Sequence, residues 1–349
     1  VGYIIGVYAF SALLIRPFCG YALDAIGRRS VYLWALAIFT VLMALYHFSS
    51  TFFILLVIRA FHGFAWGTIT TGGSTIAADL IPEKRRGEGI GYFGLAMTLA
   101  IALAPYGGDQ IMGQNNFSNL FTIAFAVSLA ALILALVIKV PKIKTGETKI
   151  SLAKMFDKRV NRIAIVMMTG AFPYAAIISF IRIYSDELGL KQGALFFIFM
   201  ALGVGVARLL VGKIMDKHGP SMLVTIGLVV TVAGLIWLAY VDSFWPFMMV
   251  GVLVGIGNGI IMPTVQTMAL NMVPLDRRGA ANATFFSAVD LGIGAGSIAL
   301  GYVAESYGIS MMFLICGFIL LFPLAFYFLF VRKHYYKQVA ILKEAQINA

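Results

Sequence analysis

The chain has 349 residues, 61% of them hydrophobic and 12% charged, with a mean hydropathy of +0.93. Soluble domains run near 45–50% apolar and about 25% charged, which excludes a soluble enzyme, a nucleic-acid-binding domain and a disordered tail as readings of the whole chain. The net charge of +11 then reads as basic loops on one face of a lipid bilayer, not as a surface for a polyanion.

Eleven apolar segments follow in chain order, at roughly 1–23, 31–48, 52–78, 89–112, 118–138, 161–184, 193–212, 221–240, 245–271, 280–303 and 309–331. Most reach the roughly 20 residues that a spanning helix needs. They lack the period-2 alternation of barrel strands, so the sequence predicts an all-α polytopic membrane protein. The one long connection, 139–160, opens with Pro, Gly and charge as a linker does. Its end, Ser151 to Arg159, reads as a short amphipathic surface helix or as a solvated basic loop. The expected organisation is an N-terminal bundle over 1–138, the linker, a six-span bundle over 161–331 and a tail over 332–349.

The loops around 24–30, 79–88, 139–162, 213–218 and 272–279, with the tail, hold 21 of the 26 Lys and Arg. That bias predicts a multi-pass cell-membrane protein with its central loop and C-terminus in the cytoplasm. Cys19 and Cys316 are far apart, and the four histidines lack metal-ligand spacing, so neither a disulfide framework nor a metal site is expected. No phosphate-binding loop occurs, and no cofactor is implied.

The chain repeats itself at an offset of 192. Arg16, Gly20, Asp24 and Gly27 fall on Arg208, Gly212, Asp216 and Gly219. Gly63 and Gly67 fall on Gly255 and Gly259, and Pro82, Arg85, Arg86, Gly87 and Phe93 on Pro274, Arg277, Arg278, Gly279 and Phe285. Parallel repeats about an axis along the membrane normal are a common transporter plan. The span 161–184 maps to positions before Val1. Twelve spans are therefore expected in the intact protein, with roughly thirty or more residues upstream.

Gly20-Tyr-Ala-Leu-Asp24-Ala-Ile-Gly27-Arg28-Arg29 combines glycines for a sharp turn with a carboxylate able to accept from a helix N-terminus. In the second copy Pro220 stands where the basic residue would be. Arg59 lies inside a span with His62 and Gly63 after it, and an intramembrane arginine is rarely idle. Ala104-Pro105-Tyr106-Gly107-Gly108 puts a proline and two glycines in another span. These segments resemble the major facilitator superfamily over essentially the whole chain, in particular its bacterial proton-coupled drug exporters.

The resemblance implies that Gly20, Asp24, Gly27, Arg28 and Arg29, with Gly212, Asp216 and Gly219, latch the two halves; a simple tight turn is the alternative. It links Arg59 to proton coupling, where His62 is either a titrating partner or a neutral hydrogen-bonded ring. Pro105, Gly107 and Gly108 partly match the exporters' motif, with Ala104 in place of Gly and the Gly pair one residue early; Pro105 is otherwise a packing kink. Asp290 is the one acidic residue near the middle of a span. It is a candidate for coupling or substrate binding, or else a structural partner of an arginine. Trp66, Tyr174, Asn258 and Gln266 are candidates to line a substrate pocket, or else pack between helices.

The expected function is secondary active transport by alternating access: proton-coupled export of a small amphipathic molecule by a monomer. Proton-coupled nutrient uptake, and a non-transporting receptor or assembly protein of the same fold, are the other readings. Small molecules, protons and the lipid bilayer are the expected partners; nucleic acid and enzymatic chemistry are not expected.

Overall fold

The computed structural model describes residues 2–112, 117–140, 156–190, 193 and 195–347, and among these every regular element is helical. The helices are α1 (Gly2–Ala25), α2 (Arg28–Leu45), α3 (Phe52–Leu80), α4 (Arg86–Met112), α5 (Phe117–Val137), α6 (Asn161–Glu187), α7 (Leu195–His218), α8 (Pro220–Leu238), α9 (Phe244–Asn271), α10 (Arg278–Tyr307), α11 (Ile309–Ile319), α12 (Leu321–Phe326) and α13 (Arg332–Ile347). A π-helical turn over Tyr327–Val331 joins the last two. Each of the eleven predicted spans coincides with a helix, the last with α11, α12 and the π turn together. Among the described residues, nine spans are long and apolar enough to cross a membrane. The two remaining predicted spans are α1 and α4, in each of which some side chains lie outside the described residues. Most of the surface helix expected over Ser151–Arg159 lies outside the described residues; Lys158–Val160 form a turn.

The repeat extends to the helix boundaries. Shifted by 192, α2 falls on 220–237 and α3 on 244–272, against Pro220–Leu238 and Phe244–Asn271. The short 3₁₀ turns Glu83–Arg85 and Leu275–Arg277 coincide residue for residue. In each the third amide donates back to the carbonyl of Pro82 or Pro274 at 3.0 Å. Gly27 and Gly219 both have positive φ, +119° and +78°, as the N-cap residues of α2 and α8. Pro220 fits the first turn of α8 because the amide it lacks has no intrahelical acceptor there.

The helix crossings repeat too. A Cβ on Gly63 would lie 2.3 Å from the Tyr8 carbonyl oxygen, and one on Gly255 would lie 2.1 Å from that of Met200. The residues faced are themselves 192 apart, so α3 crosses α1 as α9 crosses α7. Small residues at such crossings let spanning helices approach where lipid offers no hydrophobic drive. Large apolar side chains point outward, among them Trp34, Phe53, Val137 and Leu329, each more than 70% exposed. Such a surface suits hydrocarbon and not water.

The chain forms two compact units. One comprises Val1–Leu80, Leu103–Lys158 and Pro274–Ser287; the other comprises Ile81–Ala102, Arg159–Val273 and Ala288–Ala349. Each includes the beginning of a helix from the opposite sequence half: the start of α10 in the first unit, the start of α4 in the second. These two helices are repeat counterparts.

Candidate functional site

In the first unit the turn after α1 meets the start of α10. The first amides of a helix have no intrahelical acceptor. Asp24 accepts from two of them, Gly279 N to Oδ1 at 3.0 Å and Ala280 N to Oδ2 at 2.9 Å. The approach depends on Gly20 and Gly279. A Cβ on Gly20 would lie 2.6 Å from the Ala283 Cβ, and one on Gly279 would lie 2.7 Å from Asp24 Oδ1.

Arg28 closes the arrangement. Its Nη2 stands 3.5 Å from Asp24 Oδ1 and donates to the Leu275 carbonyl, and its Nε pairs with Asp79. Asp79 also pairs with Arg278 at 2.8 Å, and Arg278 donates to the Ala78 carbonyl at 3.1 Å. Asn282 Nδ2 donates to Thr75 Oγ1 at 2.9 Å. Two carboxylates and two guanidiniums are thus buried together, with side chains 2–9% exposed. Deeper in the unit, Arg16 donates to Thr70 and Thr71 at 3.0 and 3.1 Å, and its guanidinium lies over the Phe286 ring. Arg277 ties the end of the linker to the same place, pairing with Asp157 at 3.3 Å. Arg29 points elsewhere, to the Leu136 carbonyl at 2.9 Å.

The second unit repeats the backbone approach with different chemistry. Gly212 packs on Glu88, where a Cβ would lie 2.0 Å from its Cα. Arg86, the counterpart of Arg278, donates to Asn271, the counterpart of Asp79. An ion pair has become a neutral-acceptor hydrogen bond, and Pro220 replaces Arg28. Asp216 lies on the helical backbone of α7, with its side chain outside the described residues.

Arg59 and His62 share an aromatic pocket in the first unit. His62 Nδ1 is hydrogen-bonded to the Tyr46 hydroxyl at 2.8 Å, and the rings of Tyr8 and Phe39 meet it edge-on. The Arg59 guanidinium lies 5.5 Å from the Tyr46 ring centroid and 5.9 Å from that of Tyr8. Cation–π contact of this kind is worth about 0.5–2 kcal/mol; Arg59 Nε has no hydrogen-bond partner. Asp290 belongs to the second unit, is half-buried and lies about 18 Å into α10. Two residues on, a Cβ on Gly292 would lie 2.2 Å from the Met168 carbonyl oxygen, so α10 is pressed against α6 beside it.

The pocket candidates do not form one cluster. Trp66 lines an apolar groove of about 470 Å³ between α2, α3 and α5. Asn258 donates to its own helix at the Val254 carbonyl, 3.1 Å away. Gln266 is buried in α9. Tyr174, in α6, lies within electrostatic range of Arg208. Pro105, Gly107 and Gly108 lie on the helical backbone of α4, and their side-chain surroundings are outside the described residues.

The family model of the Major Facilitator Superfamily matches residues 1–223 and 163–347. The chain belongs to the major facilitator superfamily. It is therefore a multi-pass transport protein. It is 22% identical over 343 residues to the staphylopine export protein of Staphylococcus aureus, covering 92% of this chain and 84% of that one. It is 24% identical over 333 residues to the multidrug resistance protein MdtG of Salmonella paratyphi C, covering 90% and 81%. The crystal structure of the human organic anion transporter MFSD10 has the same fold, with a TM-score of 0.83 at 18% identity over 93% of this chain and 83% of that one.

In this superfamily member the motif contains Asp24 and Arg28, whereas Asp79, Arg278 and Asn282 lie outside it. Asp79 and Arg278 lie where loop charges are expected, next to the Pro82 and Pro274 turns. One signal was present: the offset of 192 pairs Arg86 with Arg278 and sets Asp79 against Asn271, a polar residue preserved at the end of a span.

Proposed function

We propose that the protein is a proton-coupled exporter of a small amphipathic molecule, working as a monomer by alternating access. The buried network of Asp24, Arg28, Asp79 and Arg278 carries the reading. It joins helix ends from both sequence halves at the face of the spans where the basic loops gather, and that face is cytoplasmic under the positive-inside rule. The halves part there only when Asp24 releases the α10 amides and Arg28 and Arg278 release Asp79. The five spans of 1–138 and the six of 161–331 are the bodies that rock.

Asp290 carries the proton. Its protonation biases the two states by its differential interaction with them, and Arg59 with His62 tunes the first half. The names of the staphylopine export protein and MdtG support the outward direction. Ala104 in the exporter-like segment favours a second reading, proton-coupled uptake by the same machinery. In proteoliposomes, Asp290→Asn should abolish the response of transport to an imposed pH gradient while leaving downhill exchange. Transport by Asp290→Asn that still follows the gradient would remove Asp290 from the coupling role.

A further inference from the structure

Arg16 and Arg208 are repeat counterparts with different surroundings. Arg16 is satisfied by the hydroxyls of Thr70 and Thr71 and lies over Phe286. At the same offset these positions become Met262, Pro263 and Gly94. The second copy has thus lost both acceptors and the aromatic platform but kept the cation.

Arg208 is 8% exposed, and its Nε and Nη1 are buried with no protein hydrogen-bond partner. It lies inside the apolar span, about 20 Å from the start of α7 and about 6 Å before Gly212, where that span ends. A Cβ at position 94 would lie 2.2 Å from Nη1, so the glycine is what allows the guanidinium to extend across α4. The Tyr174 phenol of α6 lies within electrostatic range of Arg208, and Tyr174 supplies a hydroxyl donor. A buried guanidinium with two unpartnered nitrogens is costly, and an intramembrane arginine marks a substrate or ion path by default.

We propose that Arg208 and Tyr174 bind the carboxylate of an anionic, amphipathic substrate, with Gly94 as the specificity-determining gap. The proposal rests on the transport reading above and names its substrate class. A guanidinium offers a carboxylate paired, charge-assisted hydrogen bonds, and one cation with one phenol suits a monoanion.

The test is calorimetric binding to the full chain in lipid nanodiscs. The probes are acid and amide pairs of equal shape: benzoate and benzamide, 1-naphthoate and 1-naphthamide, octanoate and octanamide, with inorganic phosphate alongside. At least one acid should bind tenfold or more tightly than its amide, and more tightly than phosphate. Arg208→Gln should level that pair, and Arg208→Lys should keep part of the preference. The acid-to-amide ratio of the unmodified protein decides the matter even if a variant fails to fold. Equal binding in every pair overturns the proposal, and phosphate binding as tight as the acids overturns the carboxylate assignment. Acid-selective binding with no flux in proteoliposomes would sink the transport reading and leave the site standing. Flux of the amides with no acid preference would do the reverse.

Discussion

At the start of α10, the amides of Gly279 and Ala280 find their acceptors in a side chain more than 250 residues away. Asp24→Asn leaves one oxygen for two donors, and a buried unsatisfied donor costs about 1–3 kcal/mol. Heat denaturation of the detergent-purified variant should fall accordingly; an unchanged midpoint would mean that Asp24 does not hold α10. Gly27 makes a complementary point. Nothing lies within 4 Å of where its Cβ would be, yet its φ is +119°. Gly27→Ala should therefore cost about 1–3 kcal/mol through backbone strain alone, seen in the same measurement. Both residues were legible from the motif, because a sharp turn needs glycine and an exposed helix start needs an acceptor. Asp79 was not, since nothing local distinguishes a latch carboxylate from a solvated loop charge. Only the three-dimensional meeting with Arg28 and Arg278 does so.

Helices carry a different kind of information. Their existence and ends were readable because hydrocarbon demands long apolar runs, while Gly27, Gly219 and the prolines before the 3₁₀ turns punctuate them. Their partners were readable only through the repeat. Gly63 and Gly255 predict a close crossing without saying that Tyr8 and Met200 supply the facing carbonyls. Gly63→Ala and Gly255→Ala should each destabilise the protein by about 1–3 kcal/mol through overpacking, measurable as loss of folded protein by size-exclusion chromatography on heating. A larger effect from a helical glycine with open space around it, such as Gly294, would contradict the crossing as the cause. At the α3–α10 contact, Asp79→Asn and Arg278→Gln should be strongly non-additive. Asp79→Asn leaves Arg278 without its carboxylate at up to about 3–5 kcal/mol, whereas Arg278→Gln leaves Asp79 its pair with Arg28, so the double variant should lose less than the sum of the two in a thermal-unfolding cycle. Additive losses would show that the pair does not act as one element.

For the whole molecule, the repeat has kept its backbone and diverged in its polar groups. The first unit holds the ion pair of Asp79 with Arg278, the bond of Asn282 to Thr75, and a satisfied Arg16. In the second the counterparts are Asn271 with Arg86, Ile90 against Thr267, whose hydroxyl is buried without a partner, and Arg208. Buried ion pairs in one unit and unpartnered polar atoms in the other are what the proposed division between gating and binding rests on. The asymmetry was legible only in part. The offset identifies which residues changed, but orphaned donors appear only when burial is known. The central claim is transport that couples two states to a proton gradient. The most direct measurement is uptake by proteoliposomes, under an imposed tenfold proton gradient, of a panel of small amphipathic acids, cations and neutral compounds. The account predicts that at least one compound accumulates above its external concentration, and that a protonophore and Asp290→Asn each abolish the accumulation. Equilibration of every compound to its external level, indifferent to the gradient, would contradict it.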